Sequence, residues 1–82
     1  MSIRIDIEAA CVRAIRNVPR GATSARRALD IGLHVAPIVG ARPYKVDSAE
    51  LIGFIRNNDP DSTAEAGDLA AAIVDRFNLE EN

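Results

Sequence analysis

Five arginines, Arg13, Arg16, Arg20, Arg26 and Arg27, fall within fifteen residues of an 82-residue chain. Each guanidinium presents a planar fork of N–H donors that matches a carboxylate or a phosphate, so such a cluster suits an acidic protein surface, a phosphate-bearing ligand or nucleic acid. The competing reading is a solvated face whose arginines pair with acids of the same chain, Asp68 and Asp75 foremost. The charges are segregated along the sequence. Residues 1–46 carry eight basic and three acidic side chains, a net +5, and residues 47–82 carry two basic and nine acidic ones, a net −7. Nine of the ten basic residues are Arg, beside 14 Ala. A GC-rich coding sequence accounts for Arg over Lys, but it does not produce polarity along the chain.

Other residues could do chemistry and are better explained structurally. His34 follows Asp30 by four positions, and Asp30 follows Arg26 by four. That spacing permits an Asp-oriented general base, but it equally describes a row of surface side chains ending in a histidine favoured by the helix dipole. No nucleophile is placed to use it, so no catalytic residue is assigned. Cys11, the single cysteine, lies on an apolar stripe where a thiol behaves as a small hydrophobe. Asn57, Asp59, Asp61, Thr63, Glu65 and Asp68 occupy positions 1, 3, 5, 7, 9 and 12 of a calcium-loop frame. Ser62 stands at the sharp-turn glycine, Pro60 sits inside the frame and the last ligand is Asp. The segment therefore reads as a turn followed by a helix cap. No metal and no cofactor are expected.

Ala28, Gly32, Leu33 and Ile38 match helix-turn-helix spacing, in which small residues let two helices cross closely. The recognition helix would begin near His34, contain Pro37 and Gly40 and then meet Pro43, which leaves it two turns at best.

The elements that must position these residues are four helices. The first is expected over Asp6–Val18, with Ile7, Ala10, Cys11, Ala14, Ile15 and Val18 on one stripe and Arg13 and Arg16 opposite. Residues 2–7 alternate and suit a strand, paired with 44–46, as well as a helix. The second starts at Thr23 or Ser24 and stops or kinks at Ala36, because Pro37 lacks an N–H and disfavours helix before it. Its apolar sector, which includes Ala25, Ala28, Leu29, Ile31, Gly32, Leu33, Val35 and Ala36, covers more than half the circumference and calls for neighbours on two sides. Residues 37–46 form the one real connection. Asp47 with Glu50 makes a capping box and Val46 with Leu51 a hydrophobic staple, so the third helix runs from Ser48 to about Asn57. Ser62 with Glu65 is a second capping box, opening a fourth helix to about Leu79 with Asp68 and Asp75 outward. Small residues recur at spacing four: Ala28, Gly32 and Ala36; Ala49 and Gly53; Thr63, Gly67 and Ala71. Mid-helix glycines lower helix stability, and close helix approach is the physical reason for keeping them.

Composition agrees with this pattern. With 48% hydrophobic residues the chain is not a disordered tail, and one cysteine excludes an intrachain disulfide framework. No apolar run reaches the ~18 residues of a membrane span, and the N-terminal segment lacks a signal peptide's uninterrupted apolar core. A cytoplasmic location is expected. The size bounds burial at roughly 63% of the unfolded surface, a thin core that oligomerisation commonly supplements.

The expectation is therefore an all-α protein, residues 1–82 forming one four-helix domain, with roughly 55–70% helix against a base rate near one third. Its expected role is non-enzymatic. By analogy with small accessory or regulatory proteins of bacteria and their phages, it docks a macromolecular partner, protein rather than nucleic acid, through Arg13, Arg16, Arg20, Arg26 and Arg27. It is expected to self-associate as a homodimer through Ala28, Ile31, Gly32 and Val35. The alternative is a helix-turn-helix-like DNA-binding module.

Overall fold

Residues 2–41 and 43–79 are described by a computed structural model of the chain, and helices take in 70% of them. The ambiguous N-terminal segment is helical. Helix α1 (Ile3–Asn17) buries Ile3, Ile7, Ala10, Cys11 and Ala14 on one stripe, so the isoleucine spacing is read at the helical period rather than the strand period. Among the described residues there is no strand, and the 2–7 ribbon with 44–46 does not form.

Helix α2 (Ser24–Val39) opens on Thr23, whose Oγ1 accepts from the Arg26 N–H at 3.1 Å. It does not stop at Ala36, as Pro37 led us to expect. The helix passes through the proline and buries Val35 and Val39 completely on the opposite face. Pro37 itself is exposed, so water can satisfy the carbonyl that loses its N–H partner. The turn is closed by the Gly40 N–H on Ala36 O at 2.7 Å and the Val46 N–H on Val39 O at 2.9 Å. Burial of Val39 outweighs the local preference. The 37–46 connection read from sequence thus shortens at its start; Arg42, within it, lies outside the described residues.

Helix α3 (Ser48–Asn58) begins where the cap signal placed it, with Leu51 and Ile55 fully buried. Asp47 holds the cap position without a side-chain cap hydrogen bond, and Glu50 turns instead to Arg76 Nη2 at 3.5 Å. Helix α4 (Ala66–Phe77) starts three residues later than the Ser62 capping box implies. It buries Leu69, Ala70, Ile73 and Val74. It closes on Asn78 in the left-handed region (φ 55°), with the Leu79 N–H on Val74 O at 3.0 Å, which folds Leu79 under the core.

Each helix packs on two neighbours, α1 on α2 and α4, and α3 on α2 and α4, while the backbones of the diagonal pairs do not come close. The four stripes meet at the centre, and Phe54 and Phe77 join the looser α3–α4 side edge to face at 5.6 Å. The radius of gyration, 11.5 Å, is close to the roughly 11.7 Å of an ordinary domain this long, so a single chain closes its own core. No helix among the described residues is long and apolar enough to cross a membrane.

The spaced small residues divide in two. Gly32 sits where α2 crosses α3, and a Cβ there would lie 2.3 Å from Ile52 Cγ1. Gly53 is exposed, and a Cβ there would meet nothing within 4 Å. Gly53→Ala is accordingly expected to raise stability by about 0.5–1 kcal/mol through helix propensity alone. Urea titration checks this, and a loss of stability would show that α3 needs the glycine backbone at that point.

Candidate docking surface

The C-terminal half of α1 and the turn after it carry Arg13, Arg16 and Arg20, all exposed. The Asn17 side chain caps the Arg13 carbonyl at 2.9 Å, and the negative end of the helix dipole favours cations here. None of the three arginines has a carboxylate within ion-pair distance among the described residues. Asp68 and Asp75, the acids suspected of pairing with them, are exposed and likewise unpaired. Among the described residues this strip is therefore not neutralised by ion pairing.

The remaining two arginines of the cluster are committed elsewhere. Arg26 Nε reaches both carboxylate oxygens of Asp30 at 3.2 Å, a surface pair one helical turn long. Arg27 is a correction to the five-residue docking surface, because its side chain is only 13% exposed and turns inward. It donates to the carbonyls of Ser62 and Ala64, which holds the 59–65 loop against α2. Its Nε also lies 2.9 Å from Asp59 Oδ2, a charge contact in which the N–H is not aligned for a hydrogen bond. Asp59, 2% exposed, accepts the Ala64 N–H on Oδ1 at 2.9 Å. Nothing in the sequence signals this clamp, since Arg27 and Ser62 are 35 positions apart and Arg27 looks like its exposed neighbours. An aspartate preceding proline inside a turn is the only hint, and it reads as turn chemistry.

The clamp also explains the late start of α4. With the Ala64 N–H held by Asp59 and the Ser62 carbonyl held by Arg27, Ser62 adopts φ 58° and cannot cap a helix. Glu65 takes the cap position instead. The calcium frame loses its third-position carboxylate to the same guanidinium.

The surface read as a homodimer interface is corrected too. Ala28, Ile31 and Val35 are 1% exposed or less within a single chain, and Gly32 is covered by Ile52. All four belong to the monomer's core, because α2 is the helix flanked by both α1 and α3. The large apolar side chains left open are Leu29 (41% exposed), Leu33 (56%) and, on α1, Ile5 (61%).

His34 Nδ1 donates to the Asp30 carbonyl at 2.8 Å, while the Asp30 carboxylate is paired with Arg26 and so does not orient the imidazole. Gly32 and Leu33, which helix-turn-helix spacing would place in a turn, are inside uninterrupted α2. Cys11 is fully buried, and burial, helped by the charge of Glu8, pushes its thiol up to about 11 from 9.0. A raised value means that its contribution to stability is complete below about 9 and is lost as pH rises through about 11. Native protein at pH 8 is expected to resist thiol-specific reagents, with labelling at least a hundredfold faster once denatured. Fast labelling without unfolding would show that α1 opens locally.

A shallow groove of about 180 Å³ runs between α1 and α4, lined by Arg4, Ala71, Val74, Asp75 and Asn78. It is smaller than the roughly 300–1,000 Å³ of ordinary small-molecule sites. Comparison with known proteins finds no family model, no curated protein and no solved structure that matches this chain.

Proposed function

We propose that this chain is a non-enzymatic interaction module that docks an acidic protein surface through Arg13, Arg16 and Arg20, with Arg26 at the rim. The observation that supports this is the state of the strip: three exposed arginines, on the C-terminal half of α1 and in the turn after it, with no carboxylate partner among the described residues. Among the described residues Arg26, Arg27 and Arg76 pair with acids while Arg4 and Arg56 stay open as these three do, so it is the clustering of Arg13, Arg16 and Arg20 at one end of the molecule that sets them apart. Arginine forks bind carboxylates in two-point geometry, and an open cationic strip raises the rate of encounter with an acidic partner.

The test uses a labelled glutamate-rich peptide as the acidic probe and a mixed-sequence DNA duplex beside it. Arg13→Glu with Arg16→Glu is expected to weaken peptide binding at least tenfold, since attraction becomes repulsion. The melting temperature should hardly move, because exposed substitutions shift stability by under ~0.5 kcal/mol. Peptide binding unchanged in a folded double variant would end this reading. Duplex binding stronger than peptide binding, with a steep salt dependence, would move the partner to nucleic acid.

A further inference from the structure

We infer that the α1 arginine strip docks on the acidic α4 strip of a second copy of this chain. This rests on the docking role of Arg13, Arg16 and Arg20 and names one surface that satisfies it. On α4, Asp68, Ala71 and Asp75 follow one another at spacings of three and four and are all exposed, so they form one strip with a small residue at its centre. Neither aspartate has an ion-pair partner among the described residues. Asp68 to Asp75 spans seven positions of α4, a rise of about 10 Å, while Arg13 and Arg16 lie one turn apart on α1 and Arg20 follows in the turn after it. On α1, Ile5, Ala9, Val12 and Arg16 recur at helical spacing on the side away from the core, and Ile5 is 61% exposed. The strip therefore offers apolar contact beside the charges.

The choice of partner follows from the charges. The α1 strip cannot meet its own copy, because like charges would face each other. The α4 strip cannot either. Each complements the other, and the two helices are neighbours in the bundle. A two-fold axis therefore lets one interface hold the contact twice, α1 on α4 and α4 on α1, which closes the assembly as a dimer. The segregation of charge along the sequence, +5 against −7, becomes two complementary surfaces on one molecule.

Sedimentation velocity on the full chain tests this, at about 0.2 mM protein in about 20 mM and about 500 mM salt, where the screening length falls from roughly 20 Å to roughly 4 Å. A dimer is expected at low salt and a monomer at high salt. Arg13→Glu/Arg16→Glu and Asp68→Arg/Asp75→Arg should each be monomeric alone. Their equimolar mixture should regain the dimer, since one contact then keeps its native signs and the other is restored with the signs exchanged. A mixture that stays monomeric overturns the inference. So does association that survives high salt and both reversals but is lost in Leu29→Asp/Leu33→Asp, which would place the contact on α2. A wild-type monomer at low salt that still binds the acidic peptide overturns self-docking alone, whereas loss of peptide binding overturns the docking role as well.

Discussion

Arg27→Ala is expected to cost about 3–5 kcal/mol of folding stability, the range for removing one partner of a buried ion pair. The loss comes from what is left behind. Asp59, 2% exposed, would keep a carboxylate with no cation near it, and the carbonyls of Ser62 and Ala64 would lose their guanidinium donors. At roughly 0.05–0.15 kcal/mol per residue, a chain of this length has about 4–12 kcal/mol in total, so the variant is near unfolding at 37 °C. Arg27→Lys should recover little, because a single ammonium cannot reach two carbonyls and a carboxylate in one plane. Asp59→Asn should cost less than Asp59→Ala, since its side-chain oxygen can still accept the Ala64 N–H. Urea unfolding measures all four variants. A loss below 1 kcal/mol in Arg27→Ala would mean that the 59–65 loop is held by its own backbone rather than by the clamp.

The second large effect is at Gly32. Adding one methyl group there brings Cβ to 2.3 Å from Ile52 Cγ1 and 3.3 Å from Cδ1, so α2 and α3 must separate or Ile52 must change rotamer. Overpacking of this kind costs about 1–3 kcal/mol, and the gain in helix propensity of about 1 kcal/mol offsets only part of it. Gly32→Ala is therefore expected to destabilise, with the sign opposite to Gly53→Ala. Pairing it with Ile52→Ala should remove the clash, and the cycle should show a coupling of about 0.5–3 kcal/mol between the two positions. If the substitutions are simply additive, the helices do not cross at Gly32 as closely as the structure has them.

These two sites mark different degrees of legibility. For Gly32 the sequence shows the glycine in the middle of a periodic stretch, and that alone asks for a close neighbour. The neighbour turns out to be Ile52 of the same chain and not a second copy. The apolar width of α2 suits either a central helix or a subunit interface, and most of it is consumed by α1 on one side and α3 on the other. Leu29 and Leu33 are what remains outside. For Arg27 no comparable sign exists, because a buried and an exposed arginine are identical until the chain is closed around them.

Helix number and type follow from the sequence by itself. So do the starts of α2 and α3, the inward stripes and the outward placement of Arg13, Arg16, Asp68 and Asp75, because apolar periodicity and cap chemistry act within a few residues. Tertiary structure alone decided where those local rules yield. Val39 burial carries α2 through Pro37, the clamp of Arg27 and Asp59 delays α4 past Ser62, and ion pairing reaches Arg26 and Arg27 but leaves Arg13, Arg16 and Arg20 open. Each of these depends on groups far apart in the chain being brought within a few ångströms. Burial of an apolar side chain or desolvation of a charge is then worth several times a cap or a propensity, so the long-range contact prevails.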